Sequence, residues 1–316
     1  MLTPFAALVA HTSDVEYWAL ERAAKALRLD PARYQSVEGV EYDLTEPSLF
    51  RWEILFEGGR YVEGLVGLFP LDQLIPHEGT TPAVQVRPRH SVQIRPVTAL
   101  VEEPLPSLEP AGGSVHFHGS HHHIVTPVDS VAFAPERALI ADGHHRVAAA
   151  MRDGGDPRIM TMVVSTDGIE LDAGAFHRVF ASQVDLPESI AGCDVVHEST
   201  LDSIHAGRIA IVTRQGSIGV AVVDESIPEF LGGLPAGLTS RFVLPALGLS
   251  EVDASYVDEI RHALAAVDEG GTAIILPNSE IPAIMQATAA GVTLPPKSTR
   301  FRPKPIRGLL MRPLAI

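Results

Sequence analysis

The stretch Ile140–Ala150, IADGHHRVAAA, leaves no room for a loop between an apolar strand and the helix that follows it. Ala138–Ala141 reads as a strand ending on Asp142, Gly143 permits a tight turn, and a helix spans about His144–Asp153. A strong strand at Ile159–Val164 completes what reads as a compact βαβ unit. Small residues from Val147 to Ala150 let such a helix lie close to its sheet. Unpaired N–H groups at a helix start favour anions, and Arg146 adds a fork of donors suited to phosphate or carboxylate. Gly143, His144, His145 and Arg146 are therefore candidate phosphate- or nucleotide-binding residues, and Asp142 is the candidate general base within the motif. The plainer alternative has Asp142 capping the helix and pairing with Arg146.

The first helix is marked by the Ser13/Glu16 capping box and by Tyr17, Leu20, Ala24 and Leu27 on one face, and it stops before Asp30-Pro31. Strands Phe50–Phe56 and Tyr61–Leu68 read as a hairpin about Glu57–Arg60. Short strands are expected at Val92–Ile94, Val97–Val101 and Val131–Phe133, with Glu103–Gly113 as a surface loop. After Gln183 come strands Ile209–Thr213 and Gly219–Val223, a further strand candidate Arg241–Leu244, helix Ser255–Val267, strand Thr272–Leu276 and helix Ile281–Ala290. Ser226–Ser240, rich in proline and glycine, reads as a flexible connection. This alternation predicts an α/β or α+β protein with a mixed sheet, divided into halves 1–183 and 184–316.

His116, His118, His121, His122 and His123 invite a metal assignment, since neutral imidazoles bind zinc, copper or nickel. With no nearby cysteine or regularly spaced carboxylate, a solvated loop with adventitious metal affinity is the favoured reading, and no specific metal is assigned. His77 and Glu78 follow Pro76 and form either a loop pair or part of a site, Glu78 being a second candidate base; His177-Arg178 has the same ambiguity. In the tail, Pro295-Pro296-Lys297-Ser298-Thr299 is rigid, and Arg300, Arg302, Lys304, Arg307 and Arg312 concentrate positive charge. Such a stretch pairs with acidic surface or reaches an anionic ligand, structural pairing being favoured.

Charge and composition narrow the function. Lys and Arg number 24 against 39 Asp and Glu, a net charge of −15 that repels a nucleic-acid backbone. The single cysteine, Cys193, cannot form an internal disulfide, no signal segment precedes the first helix, and no apolar run reaches membrane-span length. A soluble, cytoplasmic protein with a small-molecule or nucleotide ligand is expected, and neither nucleic acid nor membrane as a partner.

The motif IADGHHRVAAAM, with LPPKSTRFRPKPIRGLLMRPL near the end, resembles the family known as domain of unknown function 1015. Its members carry an IADGHHRY-type motif and an MPPKSTYFYPKPLSGL-type tail. The likeness extends to LIPHEGTTP at Leu74–Pro82 and to His177-Arg178. It departs at Val147, where tyrosine is usual, at Arg300 and Arg302, where aromatic residues are usual, and in lacking a Pro-Pro-Tyr-Asp element near the start. More distantly, Gly143–Arg146 is similar to the phosphate-binding turns of sulfiredoxin and of ParB nucleotide-binding domains, a superfamily in which some members phosphorylate free serine with ADP or ATP. His144 stands where sulfiredoxin has its cysteine, which excludes sulfiredoxin chemistry. The resemblance implies a ParB/sulfiredoxin-like mixed sheet and nucleotide phosphates held at Gly143–Arg146. It further implies a small-molecule kinase using Mg2+ with ATP or ADP, on an amino acid for example. His77, His177, Arg178, Lys297, Ser298 and Thr299 are further site candidates by that likeness. A nucleotide or anion sensor without turnover is the alternative.

Overall fold

The computed structural model describes residues 1–12, 15–29, 36–80, 92–167 and 171–314. The chain forms two compact units, Met1–Ile75 with Thr80–Leu171 and Pro303–Ile316, and Pro76–Gly79 with Asp172–Arg302.

The first unit runs β1 (Leu8–Ala10), α1 (Tyr17–Leu29), β2 (Ser36–Val37), β3 (Val40–Leu44), β4 (Leu49–Phe56), β5 (Arg60–Pro70), β6 (Leu74–Ile75), β7 (Val92–Gln93) and β8 (Val97–Val101). It continues with β9 (Val115–His118), β10 (His122–Val128), β11 (Ala138–Asp142), α2 (His144–Asp153) and β12 (Arg158–Ser165). Eight of these strands form a mixed sheet in the order β6-β11-β8-β12-β5-β4-β10-β9. The β4–β5 hairpin pairs Phe50 with Val66 and Phe56 with Arg60, close to the expected register. Leu65, Phe69, Val97, Ala99, Ile140 and Val163 of the sheet share a buried cluster with Val147 of α2, and Ala150 packs at its margin. Small side chains on that helix face permit the close approach. In α1 the stripe Leu20, Ala23, Ala24 and Leu27 is fully buried. Its expected capping residue Ser13 lies outside the described residues.

The strand–helix–strand order about α2 holds, but the βαβ reading does not. β11 runs antiparallel to β8 while β12 runs parallel to it, so β11 and β12 point in opposite directions with β8 between them. Two apolar strands flanking a helix do not reveal their direction in sequence, because period and composition are the same either way. No strand forms at Val131–Phe133, where Phe133 N–H closes a tight turn on Val131 O at 3.0 Å.

The second unit holds β13 (Asp172–Gly174), β14 (His177–Phe180), β15 (Cys193–His197), α3 (Thr200–His205), β16 (Ile209–Thr213), β17 (Gly216–Val222), α4 (Glu229–Gly232), α5 (Pro235–Leu238) and α6 (Leu244–Ala246). Beyond these lie β18 (Ser255–Val257), α7 (Ile260–Asp268), β19 (Thr272–Ile275), α8 (Ile281–Ala289) and β20 (Arg300–Arg302). Its main sheet has the order β15-β17-β16-β19-β14-β18. Phe180, Ile209, Ile211, Ile218, Val220 and Ile274 fill one side of it.

Three expectations are corrected in this unit. Arg241–Leu244 is helical, lying in a π-turn (Thr239–Val243) that runs into α6, and Leu238, Thr239, Val243 and Leu244 are buried at helical spacing. The three-residue apolar run Phe242–Leu244 does not distinguish the two periods. Ser226–Ser240 contains α4 and α5, with Pro235 in the first turn of α5 and Ala236 and Leu238 buried. The helix expected from Ser255 starts at Ile260, because Tyr256 and Val257, good strand residues, pair with β14 first.

The tail returns to the first unit as β21 (Leu310–Pro313), seated between β1 and β7 in the sheet β2-β3-β1-β21-β7. Pairing also moves the boundary away from the expected 183/184. β14 belongs to the second sheet through β18 and β19, and residues from Pro303 belong to the first unit. The protein is thus a mixed α+β fold with several sheets. Among the described residues no helix is long and apolar enough to cross a membrane.

Candidate functional site

In the first unit the candidate site is the turn from β11 into α2. Gly143 has φ +112°, a backbone conformation that side chains resist, and a Cβ there would stand 2.9 Å from the Arg146 guanidinium. The glycine thus allows both the turn and the folding-back of Arg146. That guanidinium donates to the carbonyl oxygens of Arg95 at 2.9 Å and Pro96 at 2.7 Å, and to Asp142 Oδ2 at 2.6 Å. These contacts fix the turn and bear out the pairing half of the plainer sequence reading; the capping half does not hold, since the N-cap is Gly143 and no side chain caps the helix. Burial, then the neighbouring charges of Arg95 and Arg307, lower the Arg146 pKa to about 10 despite the attraction of Asp142. His144 is buried and His145 half-buried.

Asp142 is the hub of this cluster. Besides Arg146, Arg95 Nη2 approaches its Oδ2 at 2.9 Å and Lys304 Nζ its Oδ1 at 2.6 Å. Burial alone would raise its pKa, but Arg146, Arg95 and Lys304 outweigh burial and hold the carboxyl far below the usual carboxylate range. A carboxylate so stabilised is a weak proton acceptor at neutral pH. Arg95 and Lys304 are members of the cluster that motif reading missed; Lys304 was visible only as one of several tail cations. Arg307 pairs with Glu21 at 3.1 Å.

Within the second unit, two of the sequence motifs meet across more than two hundred residues. Glu78 Oε2 accepts from the backbone N–H of Ser298 at 3.0 Å and of Thr299 at 3.3 Å, and His77 Nε2 lies 2.7 Å from Thr299 Oγ1. Lys297 takes a positive φ of 63° at the head of this turn, and its ammonium sits 5.0 Å from the Phe176 ring centroid. Ser298 Oγ donates to Pro295 O at 2.6 Å. His77, Ser298 and Thr299 are buried.

His177 and Arg178 are buried in β14. His177 Nδ1 accepts from the Leu276 N–H at 3.2 Å, and burial, reinforced by Arg300 and Arg178, lowers its pKa to about 4. Between pH 6.5 and about 4 the unfolded chain binds a proton at this residue that the folded chain refuses, so its contribution, complete above pH 6.5, is lost as pH falls through that window. His177→Asn, which keeps an acceptor near Leu276, should flatten the stability profile there by roughly 2 kcal/mol in urea melts at pH 7 and 4.5. Parallel curves for variant and parent would refute the assignment.

The remaining tail cations are also paired: Arg300 and Arg302 with Asp258 at 2.9 and 3.1 Å, and Arg312 with Asp156. The histidine run is not a loop. It forms the β9–β10 hairpin, with His118 opposite His122 and Phe117 opposite His123. Cross-strand pairing makes it regular where sequence period gave no sign. Among the described residues no three His, Cys, Asp or Glu side chains converge as a ready-made metal centre.

No family model matches the chain, and no curated protein matches it. Solved structures offer distant likenesses. A free serine kinase variant in complex with AMP has 15% identity and a TM-score of 0.44, over 75% of this chain and 87% of that one. SbnI with a C-terminal truncation, from Staphylococcus aureus, has 10% identity and a TM-score of 0.44, over 75% and 82%. A conserved hypothetical protein from Pyrococcus furiosus has 14% identity and a TM-score of 0.42, over 77% and 94%.

Proposed function

We propose that the start of α2 binds the phosphates of a nucleotide, ATP or ADP, and that the chain transfers a phosphoryl group to a small hydroxyl-bearing metabolite such as an amino acid. One observation carries the binding half: in a chain of net charge −15, Arg95, Arg146 and Lys304 gather round Asp142, and Arg307, paired with Glu21, adds its charge at Arg146. Four cations against two carboxylates leave positive charge that an anion would neutralise, beside the N–H groups of a ten-residue helix. Since Arg146 is committed to the turn, the phosphate donors are the helix start with Gly143, His144 and His145, together with Arg95, Lys304 and Arg307.

Mg2+ does not fit at Asp142, because three cations already surround that carboxylate and would repel a fourth. Asp142 therefore serves as a positioning residue for the cations. Its weakness as a base favours the second reading, nucleotide sensing without turnover. Glu78, the other base candidate of the sequence, belongs to the second unit, where its Oε2 accepts from two N–H groups.

Calorimetric titration of ADP and ATP into the full chain, with and without Mg2+, tests binding. Arg307→Ala and Lys304→Ala should each weaken it about tenfold or more, as loss of a charge-assisted hydrogen bond implies. Unchanged affinity in both variants would remove the site. Mass spectrometry of a panel of hydroxyl amino acids incubated with protein and nucleotide then separates kinase from sensor: phosphorylated product supports the first, and tight binding without product the second.

A further inference from the structure

We propose that His116, His118 and His122 form a binding site for a late first-row divalent cation, Zn2+ or Cu2+, on the outer face of the β9–β10 hairpin. Strand alternation sorts the four histidines that lie in β9 and β10. Phe117 and His123 are paired and buried, and Trp52 Nε1 donates to His123 Nδ1 at 3.2 Å. His116 and His118, two residues apart on β9, point the other way with His122, which stands directly opposite His118 and diagonal to His116.

On that face the imidazoles are already close. His116 Nδ1 and His122 Nε2 are 3.3 Å apart, and the His118 and His122 rings stack with centroids 3.8 Å apart. Two nitrogens bound to one tetrahedral zinc, each at about 2.0–2.1 Å, are themselves separated by about 3.3–3.4 Å. The first pair thus stands at ligand spacing, and His118 completes a three-imidazole set by rotating its side chain. Two histidines at i and i+2 on one strand with a third across the ladder give three donors on one side of a rigid ribbon, leaving the fourth position for water. All three side chains are exposed or half-buried, which gives an ion access, and β9 is the edge of its sheet.

Ligation needs neutral imidazole. The ligand set, nitrogen without thiolate or carboxylate, selects zinc, copper or nickel over magnesium or calcium.

Zn2+ titrated calorimetrically into the full chain at pH 7.5 is the test, with Co2+ as an optical probe of coordination. One ion per chain is expected, with the intense visible band of tetrahedral Co2+. His116→Ala, His118→Ala and His122→Ala should each weaken Zn2+ binding at least tenfold, while His197→Ala, an exposed histidine in the second unit, leaves it unchanged. Metal-free melting of the three hairpin variants should match the parent to within a degree or two, since none of the three side chains is buried. Binding that survives all three substitutions, or weak uptake of several ions per chain that the His197 variant reduces equally, would mean an adventitious ion only and overturn the proposal.

Discussion

Asp142→Asn is expected to lower the stability of the chain by about 3 kcal/mol at pH 7, the scale of removing one partner from a largely buried ion cluster. The asparagine has the same shape, so no cavity opens, but Arg95, Arg146 and Lys304 lose their shared counter-charge while still crowded together. The deficit is specific in two ways. Because the folded-state pKa of Asp142 lies well below its unfolded value, its contribution is present above about pH 4 and lost as pH falls further, so the parent and variant curves should converge in acid. The deprived cations should also accept a replacement anion. Phosphate or ADP should raise the melting temperature of the asparagine variant more than that of the parent. A variant that melts like the parent at pH 7, or that gains nothing from phosphate, would show that Asp142 does not hold the cluster.

A comparable loss, about 3–5 kcal/mol, is expected for Glu251→Ala in the second unit. Arg178 is fully buried, and its Nε and Nη2 lie 3.3 and 3.2 Å from Glu251 Oε1. Its Nη1 donates to Phe176 O at 2.7 Å. Removing the glutamate strands a guanidinium without water. The reverse change is milder: in Arg178→Met the glutamate keeps the hydroxyls of Ser240 and Tyr256, the latter at 2.7 Å, and is itself part-exposed. The glutamate variant should therefore unfold at clearly lower urea than the arginine variant. Equal losses, or the opposite order, would contradict the network. Arg178, a site candidate by resemblance, is thus hydrogen-bonded to Glu251 and Phe176 within its own unit.

Elements whose signals are local were legible in sequence. α2 was read at its observed bounds, β8 and β16 likewise, and the β4–β5 hairpin to within two residues. Strand direction was not, as β11 and β12 show, since nothing local encodes it. Nor were β1, β3 and β21, which are stabilised by partners far along the chain. In the site, the turn Asp142–Arg146 was legible because glycine and a helix start mark it. The commitment of Arg146 to two carbonyls was not, because those carbonyls belong to Arg95 and Pro96, some fifty residues earlier. The facing of the histidines was hidden for the same reason: it depends on a ladder that brings His122 opposite His118.

The interleaving of the two units has a consequence for the order of events in the cell. Asp142 leaves the ribosome long before Lys304, and the whole span Asp172–Arg302 is made in between. During that interval the first unit lacks the strand that joins β1 to β7, and its carboxylate hub lacks one of its cations. A nascent chain halted anywhere in the second unit therefore carries the helix start without its full complement of charge. The charge cluster of the helix start is completed only once Lys304 has been made.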